Sequence, residues 1–417
     1  MFSVRGAFPN NQVAELGGEL VDSGHTSIRT MCQTLGIPIN DLRAGETFVD
    51  ERFFINGRYV SEGEILEAFR PLAAEMRRAV RRSERSSSAF AALDAMSVAE
   101  WIDSTGVATK DLKDLLHVAY TEEFGLEADE QTVFNLLYMI DYERLSRFRV
   151  FGESDERFHI RGGNDRVTTA LANRLEGQIE TSSLFTSLRE TSGGSFRVGV
   201  SRDSGFREYR FDIVVLALPF TLLREANLDV DLPNWKRQII RELGYGTNAK
   251  LMSGYTTRHW RSLNATGSVI GNNGIQTCWD TSRKQPGESG ILTIFQGGTA
   301  GVNLGTGTAE TQMQQYLRYA DELFPGIANT YVPGSAVRMW WPGHQFTKGS
   351  YSCYRPGQAA FSGLEGKRIG NLFFCGEHCS INFQGYMEGG CESGLKTAIR
   401  VLKRLSVRRE SRDTATT

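Results

Sequence analysis

Three stretches of this chain hold residues whose types and spacing could do chemistry. The first is 371–405, NLFFCGEHCSINFQGYMEGGCESGLKTAIRVLKRL. Gly385, Gly389, Gly390 and Gly394 crowd the first turns of a predicted helix, at a cost of roughly 1 kcal/mol of helix stability each. Such a cost goes with close approach of the backbone to something flat or charged. A helix N-terminus offers free amides and a positive dipole end to an anion or an electron-rich ring. Tight packing of the helix on a sheet would explain the same glycines. The second is Lys250, alone in a weakly polar strand, where a lysine is ordinarily solvated or snorkelling. The third is RMWWPGHQFTKGSYSCYRPGQ, from Arg338 to Gln358. Aromatics at this density, broken by Pro342, Gly343 and Gly349, form a wall, either of a site or of an interdomain core.

The elements that must position them can be read locally. Leu372-Phe373-Phe374 is a short buried strand, broken by Gly376-Glu377-His378. A helix from Gly385 would bury Cys391, Leu395, Ala398, Leu402 and Leu405 as one apolar face. Its basic residues Lys396, Arg400, Lys403 and Arg404 lie toward the end that the dipole favours. Residues 52–60 form a hairpin turning at Asn56-Gly57. Helices follow from Glu62 to Ile140, with a capping box at Ser97-Val98-Ala99-Glu100. Leu112, Leu115, Leu116 and Ala119 make one core face, and Val133, Leu136, Leu137 and Ile140 another. FDIVVLALP is a buried strand ending at Pro219, which cannot continue a central ladder. Gln312 to Leu323 is a surface helix.

With 417 residues, two domains are the natural expectation. The chain is 40% hydrophobic and 23% charged, with a net charge of −2. That balance gives no field for nucleic acid or an anionic membrane. Six cysteines show neither disulfide-framework density nor metal-ligand spacing. No apolar run approaches the ~18 residues of a membrane span.

The string FFCGEHCSxxFQGYMEGGxESG resembles the C-terminal flavin-binding signature of the FAD-dependent amine oxidase family, which includes monoamine, polyamine and L-amino-acid oxidases. The resemblance extends from Ala14 to Leu405. It implies an α/β fold, in which a Rossmann-type FAD-binding domain interleaves with a mixed α+β substrate domain. The FAD domain would comprise 1–45, 159–243 and 344–405, the substrate domain 46–158 and 244–343, with a disordered tail at 406–417.

By the same resemblance, Gly376 and Glu377 bind the ribityl–pyrophosphate part of FAD. Gly385, Tyr386 and Met387 meet the flavin's pyrimidine edge. Gly17, Gly18, Glu19 and Leu20 contact the flavin through their backbone, and Phe185 contacts adenine. Lys250 would hold a water against flavin N5. Tyr351 and Tyr386 would form an aromatic cage with Trp341 behind it. Leu20 stands where amino-acid oxidases carry a carboxylate-binding arginine, which favours amines lacking a carboxylate. Ser350 stands where some members attach FAD through cysteine, so the FAD is expected to be noncovalent. The implied reaction is oxidation of an amine to an imine, with oxygen reduced to hydrogen peroxide. An L-amino-acid oxidase is the alternative of the same chemistry. The expected partners are a small-molecule amine and oxygen, the candidate assembly is a homodimer and the compartment is the cytoplasm.

One departure from the family pattern matters. Family members precede the GGE segment with a βαβ unit carrying GxGxxG, which cradles the pyrophosphate. This chain begins about where that unit ends and holds no substitute. The expectation is therefore an N-terminally truncated flavoprotein, less soluble than a longer version and binding FAD weakly or not at all. A catalytically inactive remnant is the alternative from another class.

Overall fold

The computed structural model describes residues 1–46 and 51–413. The chain divides into two compact units, each drawn from separated segments. One comprises 1–24, 32–170 and 244–360, the other 25–31, 171–243 and 361–417.

In the first unit, seven strands pair among the described residues, in the order Val337–Trp340, Ala249–Tyr255, Gly290–Gln296, Gln276–Asp280, Ser268–Gly271, Glu51–Ile55 and Arg58–Val60. All neighbours run antiparallel except Ser268–Gly271 with Glu51–Ile55. The last two strands are the hairpin read from Asn56-Gly57, and both turn residues take positive φ, at 52° and 82°. Their side chains or lack of them tolerate that region, which a two-residue hairpin demands.

Five helices between Glu62 and Met139 share a core, and one of them, Lys110–Phe124, packs on this sheet. In Glu62–Arg85 the residues Phe69, Leu72, Ala73, Met76 and Val80 recur at three- and four-residue steps and are buried. Each large apolar side chain there contributes roughly 1.5–3 kcal/mol by leaving water. The expected faces on Lys110–Phe124 and Val133–Met139 lie in the same core, and the Ser97–Glu100 capping box forms.

The second unit holds a parallel pair, Val214–Leu216 with Leu372–Phe374, and a four-stranded sheet built around Leu184–Glu190 and Phe196–Arg202. Helix Met387–Asp413 follows the parallel pair. It begins two residues later than expected, because Gly385 takes φ +85° and serves the turn before it. Its expected apolar face is also corrected. Leu395, Ala398, Leu402 and Leu405 are exposed, whereas Ser393 and Thr397 are buried. Ser393 Oγ accepts from Gly376 N at 3.0 Å and donates to Gly376 O at 2.8 Å, and Thr397 Oγ1 donates to Phe374 O at 3.4 Å. Polar docking to a strand end has decided which side faces inward.

The tail expected to be disordered from 406 is helical through Asp413, a run without Gly or Pro to stop it; 414–417 lie outside the described residues. The domain limits also shift. Segments 1–24, 32–45, 159–170 and 344–360 were expected with the FAD domain but cluster with the seven-stranded sheet. The reason is polar. Gln12 Nε2 donates to Ser289 O at 2.9 Å, and the buried Glu15 carboxylate meets His159 Nε2 at 3.1 Å and Asn164 N at 3.0 Å.

Candidate functional site

Lys250 is the second residue of Ala249–Tyr255, every residue of which is buried. Side chains alternate along a strand. Leu251 and its cross-strand partner Ile294 enter the core beneath, while Lys250 opposes Phe295 on the other face. Only 3% of Lys250 is exposed, so its charge needs partners. Nζ lies 3.2 Å from Glu15 O and 3.2 Å from Glu19 Oε2. It also faces the rings of Trp279 and Phe295, 5.0 and 5.9 Å from their centroids. An ammonium has three donors. Two have acceptors among the described residues, and the third is open to a ligand or water.

Glu19 is equally enclosed. Thr281 Oγ1 donates to its Oε1 at 2.7 Å, and Thr281 is in turn bonded to Thr293 at 2.6 Å. Burial works against the charged carboxylate, but Lys250, His159 and the Thr281 hydrogen bond outweigh it and hold the group below the usual carboxylate range. Trp279 Nε1, which faces the same carboxylate, is buried without an acceptor in bonding geometry.

The sequence-predicted residues Gly17, Glu19, Lys250 and Trp341 come together in this unit. Trp341 Nε1 donates to Leu16 O at 3.0 Å, and a Cβ on Gly17 would meet the Trp341 ring at 3.3 Å. Gly18 is exposed and Leu20 half-buried beside them. Tyr351 is fixed through its hydroxyl, which donates to Glu123 O and, at 3.4 Å, to Glu122 O at the end of helix Lys110–Phe124. Ser350 Oγ donates to Asn248 Oδ1 at 2.6 Å.

Gly376, Glu377, Gly385, Tyr386, Met387 and Phe185 belong to the other unit. Gly376 takes φ +143°, and a Cβ there would stand 2.6 Å from the His378 ring, so glycine is required. Glu377 Oε2 accepts from Gly385 N at 2.7 Å, closing the loop between strand and helix. Tyr386 meets His25 edge-to-face at 5.1 Å. Glu388 accepts from Ser27 N and Ile28 N, both at 2.8 Å, and so caps helix Thr26–Leu35. Beyond that turn, Gly390 and Gly394 have open space where a side chain would be. Phe185 is half-buried opposite Val200, where the strand register shifts.

Several charged groups went unnoticed in the sequence. The Glu19 side chain was one, because only its backbone carried the resemblance. Glu15 and His159 pair across 144 residues, with no local signal. Glu122 is buried with Thr277 Oγ1 at 2.8 Å from its Oε1; burial, and then Glu123, push its carboxyl well above the usual range. A charged residue amid the apolar face of helix Lys110–Phe124 was the available hint.

A family model described as flavin containing amine oxidoreductase matches residues 1–402. A protein of Dictyostelium discoideum named as a probable flavin-containing monoamine oxidase A is 20% identical, over 94% of this chain and 87% of that protein. Polyamine oxidase 3 of Oryza sativa subsp. japonica is 25% identical over 50% of this chain and 43% of its own length. Among solved structures, a wild-type putrescine oxidase bound to putrescine superposes with a TM-score of 0.81 at 16% identity, covering 96% of this chain and 90% of that one. Cyclohexylamine oxidase from Brevibacterium oxydans gives 0.80 at 19%, over 94% and 88%. The fold is that of FAD-dependent amine oxidases. Among the described residues no helix is long and apolar enough to cross a membrane.

Proposed function

Because this chain belongs to the family of flavin containing amine oxidoreductases, we propose that it oxidises an amine lacking a carboxylate to the imine, with oxygen taking the electrons to give hydrogen peroxide. The observation that carries this reading is Lys250. A buried ammonium with one unused donor, held by Glu19 under two aromatic rings, is suited to fixing a water or a polar ring atom.

The residues around Lys250 fit the ring of a flavin. Among the described residues Trp279 Nε1 and the third Lys250 donor have no acceptor in bonding geometry. Gly17, Gly18, Glu19 and Leu20 would hold the cofactor in one unit, together with Lys250. By the family resemblance, Gly376, Glu377, Gly385, Tyr386, Met387 and Phe185 are the cofactor-binding residues of the second unit. Bound there, FAD supplies the two-electron chemistry, and the protein supplies position and electrostatics. By the same resemblance, Tyr351 and Tyr386 each offer a ring face to the amine, and aromatic faces favour cationic character at nitrogen. The cofactor is held noncovalently, since Ser350 offers a hydroxyl already bonded to Asn248.

The test is anaerobic mixing of the flavin-loaded protein with a panel of amines. Bleaching of the flavin band by amines supports the reading, and a band unchanged by every amine and amino acid defeats it. A second reading, an L-amino-acid oxidase, is favoured by Arg283, whose Nε is buried without an acceptor and could meet a carboxylate.

A further inference from the structure

The last carbonyls of a helix have no amide of their own helix to accept from. At the end of Lys110–Phe124, in the first unit, Thr121 O takes the amide of Gly125 at 2.9 Å, which leaves Glu122 O and Glu123 O to find donors elsewhere. Both find them in segments that carry site residues. Asn248 Nδ2 donates to Glu122 O at 2.5 Å. The Tyr351 hydroxyl donates to Glu123 O and, at 3.4 Å, to Glu122 O.

Asn248 also reaches the residue before Tyr351. Ser350 Oγ donates to Asn248 Oδ1 at 2.6 Å and accepts from Asn248 N at 3.4 Å. The amide can face only one way here. A backbone carbonyl offers no hydrogen, so the amino edge must meet Glu122 O and the oxygen edge must meet Ser350. Asn248 is fully buried, and two glycines make room for it. A Cβ on Gly125 would stand 2.1 Å from Asn248 Oδ1, and one on Gly246 would stand 2.6 Å from Ser350 Oγ.

The same helix end lies on the face of the sheet that carries Lys250. Residues directly opposite one another in neighbouring strands share a face. Lys250 opposes Phe295, Phe295 opposes Thr277, and Thr277 Oγ1 bonds the Glu122 carboxyl at 2.8 Å. Asn248 therefore stands two residues before Lys250 and is bonded to the neighbour of Tyr351.

We propose that Asn248 is a positioning residue, which fixes the Tyr351 ring relative to Lys250 by tying their two segments to one helix end. The proposal rests on the amine-oxidation reading above, in which Tyr351 offers a ring face to the substrate. Tyr351 is held at two points. Its hydroxyl rests on the helix end, and its backbone is held by Gly246 N, which donates to Tyr351 O at 2.8 Å. Asn248 closes the loop between those points, because it bonds both Ser350 and the carbonyl beside the hydroxyl's own acceptor. Without it the separation of the two points can vary, and the ring moves with it. A cation is attracted only over the face of a ring, so such movement weakens the hold on the amine.

The experiment compares wild type, N248A, S350A, Y351F and N248A/Y351F by anaerobic flavin reduction with one primary amine, which separates the apparent Kd from the limiting rate. N248A should bind the amine about tenfold more weakly, with a limiting rate within about threefold of wild type. S350A, a milder cut in the same link, should shift the apparent Kd in the same direction, and it carries the test if N248A does not fold. In Y351F the second point of attachment is gone, so adding N248A there should weaken binding by less than about twofold. Equal losses in the two backgrounds would show that Asn248 does not act through Tyr351 and would overturn the proposal. Either single variant that binds the amine as wild type does, or that loses only the limiting rate, overturns it as well. Wild type that no amine reduces would instead overturn the amine-oxidation reading itself.

A second readout needs neither cofactor nor turnover. In protein labelled with fluorotyrosine, the fluorine NMR signal of Tyr351 is the one missing from Y351F. That signal should move or broaden in N248A and S350A while the other tyrosine signals stay in place. An unmoved Tyr351 signal would overturn the assignment even if the variants bound amine weakly. Displacement of many tyrosine signals would mark a general loosening of the fold and overturn it too.

Discussion

Lys250 Nζ and Glu19 Oε2 stand 3.2 Å apart with only 3% and 5% of the two residues exposed. The pair is incomplete in its hydrogen bonding, because one ammonium donor has no acceptor among the described residues. A buried pair of this kind costs several kcal/mol to desolvate, so its retention points to a role beyond stability.

Replacing Lys250 with Met leaves the Glu19 carboxylate buried without its cation. The expected loss is about 3–5 kcal/mol in urea unfolding. Adding Glu19→Gln to the same chain should recover a good part of it, because the unpaired charge is gone. A double variant no more stable than the single one would show that the two side chains are not coupled. Lys250→Met should also slow flavin reduction or reoxidation while bound flavin stays in place. Stopped-flow traces identical to wild type would remove Lys250 from the site.

On the proposed reading, Leu20 sets the expected substrate preference. A carboxylate brought against an apolar side chain without a partner costs several kcal/mol, equivalent to about a hundredfold or more in rate. Amines should therefore outperform the matching α-amino acids by that margin in a peroxide assay. Faster turnover of the amino acids would transfer the role to Arg283 and make the second reading the correct one.

Acid precipitation should leave the flavin in the supernatant. Ser350 has no thiolate for a covalent bond, and its hydroxyl hydrogen is directed at Asn248. Fluorescence retained by the denatured pellet would contradict noncovalent attachment.

His378 predicts a pH limit on stability. Burial, with Lys236 adding to it, lowers its pKa to about 3, and the ring lies 4.5 Å from Phe220. An unfolded histidine takes up its proton near 6.5. Below that value the unfolded chain binds more protons than the folded one, so stability falls with pH until the folded pKa is reached. The expected loss from this residue alone is about 2 kcal/mol between pH 6.5 and 5. Denaturant midpoints of His378→Gln should fall less steeply over that range than those of wild type. Parallel curves would show that the ring is protonated without strain.

Local signals in the sequence were reliable where the structure they specify is local. Asn56-Gly57 fixed a hairpin because only a few residues tolerate two successive positive φ values, and Ser97 with Glu100 fixed a helix start through two reciprocal hydrogen bonds. The glycine-rich turn at 376–390 was legible for the same reason. Helix Met387–Asp413 was misread because an apolar stripe at helical spacing normally faces inward, whereas here Ser393 and Thr397 bond backbone atoms of a strand end. Nothing within the helix foretells that acceptor. The Glu15–His159 and Lys250–Glu19 pairs were equally hidden, since each joins residues more than a hundred positions apart. The family resemblance located Lys250 but not the carboxylate that holds it.

Glu388 caps a helix whose first amides belong to Ser27 and Ile28, 361 and 360 residues earlier. Chain order thus becomes a matter of timing. At a synthesis rate of about 5–20 residues per second, the cap reaches the ribosome's exit roughly 20–70 s after the amides it must satisfy. Until then the start of Thr26–Leu35 has only water to bond. The unit containing it also waits for 361–417, the last of its three segments. Its assembly is therefore largely post-translational and burdened by distant contacts, which slow folding. A nascent chain paused before residue 388 should expose this segment to chaperones and proteases, and pulse-labelled protease digestion of stalled chains would show the window closing once Glu388 has emerged.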